Sequence, residues 1–262
     1  MHPRYGCGVL EAAAWGLLGG SSLLIGAAIG VGGRIHERGL ALVMGFGAGA
    51  LISAISFELT SEAFDLGGAD VVTLGLAAGA LAFYFGDRAI DSRGGARRMR
   101  MSGEGDEEAS GSALLLGAVL DGIPESAVIG TTLIAGGEIG VAVLAAVFIS
   151  NLPEGIGGAA SMVRSGGGRR HVLVAWGAVT LACAIASSLG YALLDGASGN
   201  WVGTLQAFAA GGVLVMLIDE MIPTALHHGK QADEKSNGRG AGTVGLAAVL
   251  GYAAAALLSA TV

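Results

Sequence analysis

Long apolar stretches alternate with short polar connections along the whole chain. An α-helix needs about 20 mostly apolar residues to cross the hydrocarbon core of a bilayer. Some stretches reach that length only when Asp121, Glu125 and Glu154 are accepted inside them. The pattern then predicts an all-α, polytopic membrane protein with eight transmembrane helices, near residues 12–33, 40–64, 71–90, 112–135, 139–163, 172–194, 201–226 and 241–261. No soluble domain fits in the remainder, so residues 1–262 are predicted to form a single transmembrane domain.

The composition agrees with this pattern, because 53% of the 262 residues are hydrophobic and only 13% are charged. All Lys and Arg residues except Arg4 fall in four alternating connections, near 34–38, 88–100, 164–170 and 230–239. Basic residues mark cytoplasmic loops, so both termini are predicted to lie outside, which requires an even number of spans. The basic residues follow the topology, and nucleic-acid binding has no support. The expected location is a cell membrane, plasma or inner.

Three further features concern the connections and the cysteines. Glu11 interrupts the apolar stretch after Arg4, so the first span is predicted to be retained rather than cleaved as a signal peptide. The connection 91–111 runs from basic to acidic and is predicted to be a solvated cytoplasmic loop. A second polar connection, 227–240, begins with two histidines and is read as a loop. Cys7 near the outer surface and Cys183 in mid-helix are not expected to form a disulfide.

The fourth and fifth predicted spans carry the same signature 29 residues apart: Asp121-Gly122-Ile123-Pro124-Glu125 and Ser150-Asn151-Leu152-Pro153-Glu154. Ionisable groups in hydrocarbon are costly and by default indicate an ion or substrate pathway. Each proline removes a main-chain N–H from its helix and so frees a carbonyl oxygen, here of Leu120 and of Ile149. A free carbonyl oxygen beside a buried carboxylate is suited to hold a cation.

These polar side chains are predicted to meet near the centre of the bilayer. The short connection around Gly136-Gly137 makes the fourth and fifth spans antiparallel neighbours, so their signatures can face each other. Apart from Arg88 near the end of the third span, the predicted spans contain no Lys or Arg. The buried carboxylates must therefore be protonated, exposed to water or balanced by a cation. We therefore predict a cation site formed by Asp121, Glu125, Ser150, Asn151 and Glu154. The alternative is a pair of protonated acids that hydrogen-bond across a helix interface.

A second internal repeat relates residues 45–63 to residues 207–225. The alignment pairs Phe46 with Phe208, Ala48 with Ala210, Gly49 with Gly211, Glu58 with Glu220 and Ala63 with Ala225. The charge map gives the two copies opposite directions, which predicts the inverted repeats of many secondary transporters. Four carboxylates near the ends of these spans are candidates for the entrance and exit of the pathway: Glu58, Glu62, Asp219 and Glu220. The alternative is that they only contact water at the headgroups.

The two Pro-Glu signatures, together with eight spans and external termini, resemble the ZIP (Zrt/Irt-like) family of divalent-metal transporters. The resemblance extends over nearly the whole chain and includes Gly45-Phe46-Gly47-Ala48-Gly49, Ser150-Asn151-Leu152-Pro153-Glu154-Gly155 and Asp219-Glu220-Met221-Ile222-Pro223. It implies a 3+2+3 helix arrangement, metal held between spans four and five, and a homodimer. It further implies transport of zinc, iron or manganese into the cytoplasm, with the metal as substrate and no permanently bound cofactor or enzymatic activity.

The chain departs from the family at the site itself. The family commonly has His-Asn where this chain has Asp121-Gly122, and often a Glu on span six where this chain offers Ser187. All five histidines fall outside the predicted spans, so the sequence predicts a site made of oxygen ligands alone. Carboxylate and carbonyl ligands suit harder ions than imidazole does, and the hypothesis is a bias toward Mn²⁺ or Fe²⁺.

Other functions remain open from the residues. A proton- or sodium-coupled carrier of an organic solute would need a roomier cavity and a cationic or hydrogen-bonding partner for that solute, and the apolar spans supply no Arg or Lys as the cationic partner. A membrane scaffold that has lost transport would explain the reduced ligand set, although both Pro-Glu pairs are retained. An intramembrane protease is disfavoured, because no predicted span of this chain places a Ser-His pair or a pair of Asp residues in a catalytic context.

Overall fold

A computed structural model describes residues 4–33, 36–90, 111–135, 139–234 and 241–261, and every regular element among them is helical. The helices are α1 (Arg4–Val31), α2 (Glu37–Ala54), α3 (Thr60–Ile90), α4 (Gly111–Ala135), α5 (Val141–Arg164), α6 (Arg169–Leu194), α7 (Gly199–Met216), α8 (Ile222–Glu234) and α9 (Ala241–Thr261). The all-α prediction is confirmed for these residues. Residues 91–110 of the predicted cytoplasmic loop and Gly136-Gly137 lie outside the described part.

Two π-helical turns interrupt otherwise continuous helices. The first, Ile55–Leu59, joins α2 to α3, and the second, Leu217–Met221, joins α7 to α8. A π turn inserts one extra residue into a helical turn, is uncommon, and is found often at functional sites. Here the first π turn contains Glu58 and the second contains Asp219 and Glu220, three of the carboxylates singled out in the sequence.

Gly68 divides the longest helical stretch. Its φ of 76° and ψ of −175° are not helical, and the chain changes direction there within α3. A positive φ of this kind is readily available to glycine and disfavoured for residues with a Cβ. The break lies between the predicted spans 40–64 and 71–90, so two helical segments occupy the two predicted positions.

Six helical segments of the described chain are long and apolar enough to cross a membrane: Gly8–Val31, Glu37–Ala89, Val141–Arg164, Arg169–Leu194, Gly199–Asp233 and Gly242–Thr261. The chain is therefore a multi-pass membrane protein. The 53 residues of Glu37–Ala89 would be about 80 Å long as one straight helix, at ~1.5 Å per residue. The hydrocarbon core is only ~30 Å thick, so the break at Gly68 matters for the number of crossings.

The helices pack in two groups. In one group α1 packs against α5 and α6, and α4 packs against α6; in the other, α3 packs against α7 and α2 packs against α8 and α9. The first group has its own apolar core around Leu23 and Trp176. A larger core joins the groups, because Ile129 of α4 and Val147 of α5 pack with residues of α2 and α7 such as Leu51. The two Pro-Glu helices thus lie where the groups meet.

The segments 45–63 and 207–225, which the sequence aligns, share two structural features. The first residue of each π turn, Ile55 and Leu217, is separated by the same 162 positions as the aligned segments. Glycines also let the main chains of the packed helices come into direct contact, at equivalent positions of the two segments. A Cβ would overlap a main-chain carbonyl oxygen at Gly49 (Ala248), Gly251 (Phe46), Gly211 (Leu76) and Gly79 (Phe208). The α2–α9 contact therefore matches the α7–α3 contact residue by residue, since Phe46 and Gly49 align with Phe208 and Gly211.

One prediction about a connection was wrong. Helix α8 continues to Glu234, so His227 and His228 are helical rather than part of a loop. The His228 side chain is buried and its Nδ1 contacts the carboxylate of Glu37 at the start of α2. This contact and the burial of Ala232 hold a polar segment as helix, although its amino acids are typical of a loop.

Candidate functional site

The two Pro-Glu pairs lie inside regular helices, as the sequence predicted. Pro124 is in the interior of α4 and Pro153 in the interior of α5. The carboxylates that follow them are both buried, since Glu125 is 1% exposed and Glu154 is 7% exposed. A buried carboxylate needs hydrogen bonds or a counter-charge, so these two residues are costly groups to hold in an apolar core.

Helix α5 contributes two further buried polar residues one turn before Glu154. Ser150 is fully buried and donates a 3.0 Å hydrogen bond from its hydroxyl to the carbonyl of Val147 in its own helix. Asn151 is also fully buried, but neither its Oδ1 nor its Nδ2 has a hydrogen-bond partner. Leaving a buried amide unbonded costs about 1–3 kcal/mol. Its carboxamide is therefore available to a ligand, whereas the Ser150 hydroxyl proton is already engaged.

The signature of α5 faces α2 and the second π turn. A Cβ added to Gly47 of α2 would lie 3.1 Å from the Cα of Ser150 and 3.1 Å from Cε of Met221. On the other side of α5, Gly155 packs directly against the main chain of Leu23 in α1. The residues next to Glu154 are thus held between the two helix groups, which gives the site a defined position at their boundary.

Sequence reasoning missed Cys183 of α6, which it considered only for a disulfide. Cys183 is a free, fully buried thiol, and its Sγ lies 3.6 Å from the carbonyl oxygen of Gly122. The signal in the sequence was spacing, because Cys183 is four residues before Ser187, on the same helix face.

The structure describes only part of the predicted ligand set. The side chain of Asp121 lies outside the described residues. Ser187 is fully buried and its hydroxyl has no hydrogen-bond partner. Among the side chains that are described, no three of the types His, Cys, Asp or Glu are close enough together to hold a metal ion. The described donors of the candidate site are therefore two carboxylates, the Asn151 carboxamide and the oxygens of serines.

The four carboxylates predicted for the pathway lie in different surroundings. Glu58 accepts hydrogen bonds from the main-chain N–H of Val143 at 3.2 Å and from the Ser259 hydroxyl at 2.9 Å. Glu62 accepts a 2.7 Å hydrogen bond from the Nε2 of Gln206, a fully buried residue of α7. Asp219 is exposed, and Glu220 is half-buried in the second π turn. Glu58 in the first π turn and Glu62 at the start of α3 are therefore both bonded to protein groups in the structure.

Searches with the amino-acid sequence find no matching family model and no matching curated protein. The resemblance to the ZIP family therefore rests on the motifs themselves. The chemistry of the site is nevertheless specific: oxygen donors from two helices, each interrupted by a proline, lie in an apolar core with no Lys or Arg in either signature. Such a set suits a cation better than an anion or an organic acid.

Proposed function

We propose that the chain is a divalent-metal transporter of the ZIP type that carries zinc, iron or manganese into the cytoplasm. The observation that carries the proposal is the burial of Glu125 and Glu154 next to helix-interrupting prolines, together with the unbonded carboxamide of Asn151. A cation bound between α4 and α5 would neutralise the carboxylates and supply the missing partner of Asn151. Asp121 and Ser150 complete the proposed ligand set.

The proposed architecture has eight crossings in a 3+2+3 arrangement with inverted repeats, both termini outside a plasma or inner membrane, and two copies in a homodimer. Six segments are clearly long and apolar enough to cross a membrane. The break at Gly68 supports two crossings within one of them, Glu37–Ala89, and α4 would add another, which gives eight. The matched π turns and glycine crossings support the repeat. Glu58, Glu62, Asp219 and Glu220 flank the proposed pathway.

Metal uptake into proteoliposomes tests the proposal directly. Glu154→Gln and Glu125→Gln keep the shape of the side chain but remove the charge that would bind the cation. We expect each to lower the initial rate by at least about tenfold, equivalent to ~1.4 kcal/mol of lost stabilisation. Glu11→Gln, which neutralises an exposed carboxylate of α1, is the matched control and should behave as the parent does. Parental uptake in both buried variants would remove the mechanism.

The ligand set also carries the hypothesis of metal preference. Carboxylate and amide oxygens suit harder divalent ions, so Mn²⁺ or Fe²⁺ is expected to compete better than in a transporter with imidazole ligands. Uptake of Mn²⁺ measured with increasing Zn²⁺ provides the test. A strict preference for zinc would contradict the hypothesis and leave transport itself intact.

A further inference from the structure

The carboxylate of Glu58 bridges three helices at one end of the molecule. It lies in the first π turn and accepts hydrogen bonds from the N–H of Val143, in the first turn of α5, and from Ser259 of α9. The first N–H groups of any helix have no partner within the helix, and a negative charge there also interacts favourably with the helix dipole. Glu58 therefore does for α5 what a capping side chain normally does.

Helix α5 has no cap of its own. The residue before it is Gly140, which has no side chain that could bond to the N–H groups of the first turn. The absence of a side chain at Gly140 is also what makes room for Glu58, since a Cβ there would lie 2.6 Å from Glu58 Oε2. Thr132 of α4 accepts a 3.1 Å hydrogen bond from the Gly140 N–H and fixes the same connection. The cap is thus supplied by a residue 85 positions earlier in the chain.

The first half of α5 has a particular need for that cap. Pro153 removes one hydrogen bond in mid-helix, so Val141–Leu152 is a short segment of about three turns. Loss of an N-terminal cap typically costs about 0.5–2 kcal/mol, so the first turn of this segment depends on its bond to Glu58. Ser150 and Asn151 lie at the far end of this segment, next to Glu154. A shift at the capped end would be carried directly to the candidate ligands.

We propose that Glu58 is a positioning residue, which caps the first turn of α5 and thereby holds Ser150, Asn151 and Glu154 in place. The proposal rests on the metal-transport function for its consequence on uptake, but the cap itself is independent of it. It differs from a role of Glu58 as a cation ligand at the entrance, because capping requires the hydrogen bond to α5 rather than contact with the metal.

Amide hydrogen exchange of the purified protein tests the cap without reference to transport. Glu58→Ala should increase exchange in peptides covering 141–150 by about five- to tenfold, the change expected when one helix cap is lost. Peptides from α6 should exchange as in the parent. Asp70→Asn, which neutralises an exposed carboxylate of α3 away from α5, is the control. Unchanged exchange over 141–150 in a folded Glu58→Ala protein would overturn the proposal.

A local cap at position 140 provides the decisive rescue. Gly140 has φ −66° and ψ 91°, a conformation in which serine is a favoured N-terminal cap. Gly140→Ser alone should keep at least half of the uptake, because its hydroxyl would cap α5 in place of the Glu58 carboxylate that its Cβ displaces. Glu58→Ala with Gly140→Ser should recover at least half of the uptake and the slow exchange over 141–150, with the Thr132 methyl shifting slightly.

These outcomes distinguish the capping role of Glu58 from a role as a metal ligand and from the metal-transport function itself. Recovery in the double variant supports a positioning role, since a serine on α5 cannot replace an entrance ligand for the metal. If Glu58→Ala raises the KM for metal and Gly140→Ser restores neither KM nor exchange, Glu58 is not a cap. If exchange changes as expected while the parent shows no metal uptake, the cap stands and the metal-transport function fails.

Discussion

The carboxamide of Asn151 is fully buried, and neither of its polar atoms is hydrogen-bonded within the protein. A side chain kept for stability alone would not be left in this condition, because leucine would fill a similar space without the cost. We therefore expect Asn151→Leu to raise the free energy of unfolding by about 1–3 kcal/mol while it reduces metal uptake.

Thermal unfolding in detergent and uptake in proteoliposomes measure the two effects on the same preparation. Ser150→Ala serves as the control for stability, because the Ser150 hydroxyl bonds only to the carbonyl of Val147 in its own helix. A loss of stability in Asn151→Leu, with unfolding earlier than in the parent, would show that the carboxamide has protein partners and is not kept for a ligand.

The thiol of Cys183 raises the question of whether the site has a soft ligand. Its Sγ lies 3.6 Å from the Gly122 carbonyl oxygen, to which the thiol donates a hydrogen bond. Serine can donate the same hydrogen bond, and a neutral hydrogen bond is worth only ~1 kcal/mol. We therefore expect Cys183→Ser to transport Mn²⁺ within about twofold of the parent rate.

The measurement is Mn²⁺ uptake with increasing Zn²⁺ or Cd²⁺ as competitor. Thiolate ligands favour soft ions, so a selective loss of Zn²⁺ and Cd²⁺ competition in Cys183→Ser would mean that the thiol binds the metal and that the oxygen-only description of the site is wrong.

At the level of helices, two repeat-related crossings depend on glycine. Gly49 of α2 and Gly211 of α7 both meet a main-chain carbonyl oxygen of the facing helix, so even a methyl group would force the helices apart. Overpacking of this kind typically costs about 1–3 kcal/mol. We expect Gly49→Ala and Gly211→Ala to lower the melting temperature by similar amounts, because the two contacts are equivalent.

Gly177→Ala of α6 is the matched control, since a Cβ at that position would meet no atom within 4 Å. This substitution should leave the melting temperature unchanged or raise it slightly, because alanine is the better helix former. A large loss in only one of the two crossing variants would argue against equivalent repeats.

The helices could be predicted from the sequence because hydrophobic length is a local property. The break at Gly68 falls between two predicted spans for the same reason, since polar and glycine residues separate the apolar stretches. The extension of α8 to Glu234 could not be predicted, because the contact that supports it joins His228 to Glu37, 191 residues away in the chain.

The candidate site divides in the same way. Glu125 and Glu154 stand out in any reading of the sequence, since each is an ionisable group beside a proline in an apolar stretch. Cys183 and the capping role of Glu58 depend on how α6 and the first π turn pack against α4 and α5. The partners of Glu58 are 85 and 201 residues away from it, and no local pattern identifies them.

For the whole molecule, the two helix groups meet along the helices that carry the Pro-Glu pairs, and the number of crossings decides which ends of these helices face the cytoplasm. Asp70 lies just after the break at Gly68, Ser165 between α5 and α6, and Ser198 just before α7, and all three are exposed. Eight crossings with external termini place Asp70 and Ser198 outside and Ser165 in the cytoplasm, next to the basic residues that favour that side.

Single cysteines at these three positions test the topology in intact cells. The background would replace Cys7 and Cys183 with serine, and a membrane-impermeant maleimide would be added before and after permeabilisation. We expect Asp70→Cys and Ser198→Cys to react from outside and Ser165→Cys only after permeabilisation. If Glu37–Ala89 crossed only once, residue 70 would lie within the hydrocarbon, and Asp70→Cys would stay unlabelled under both conditions. That result would change the sidedness of every later helix and so reverse the direction in which α5 presents Glu154.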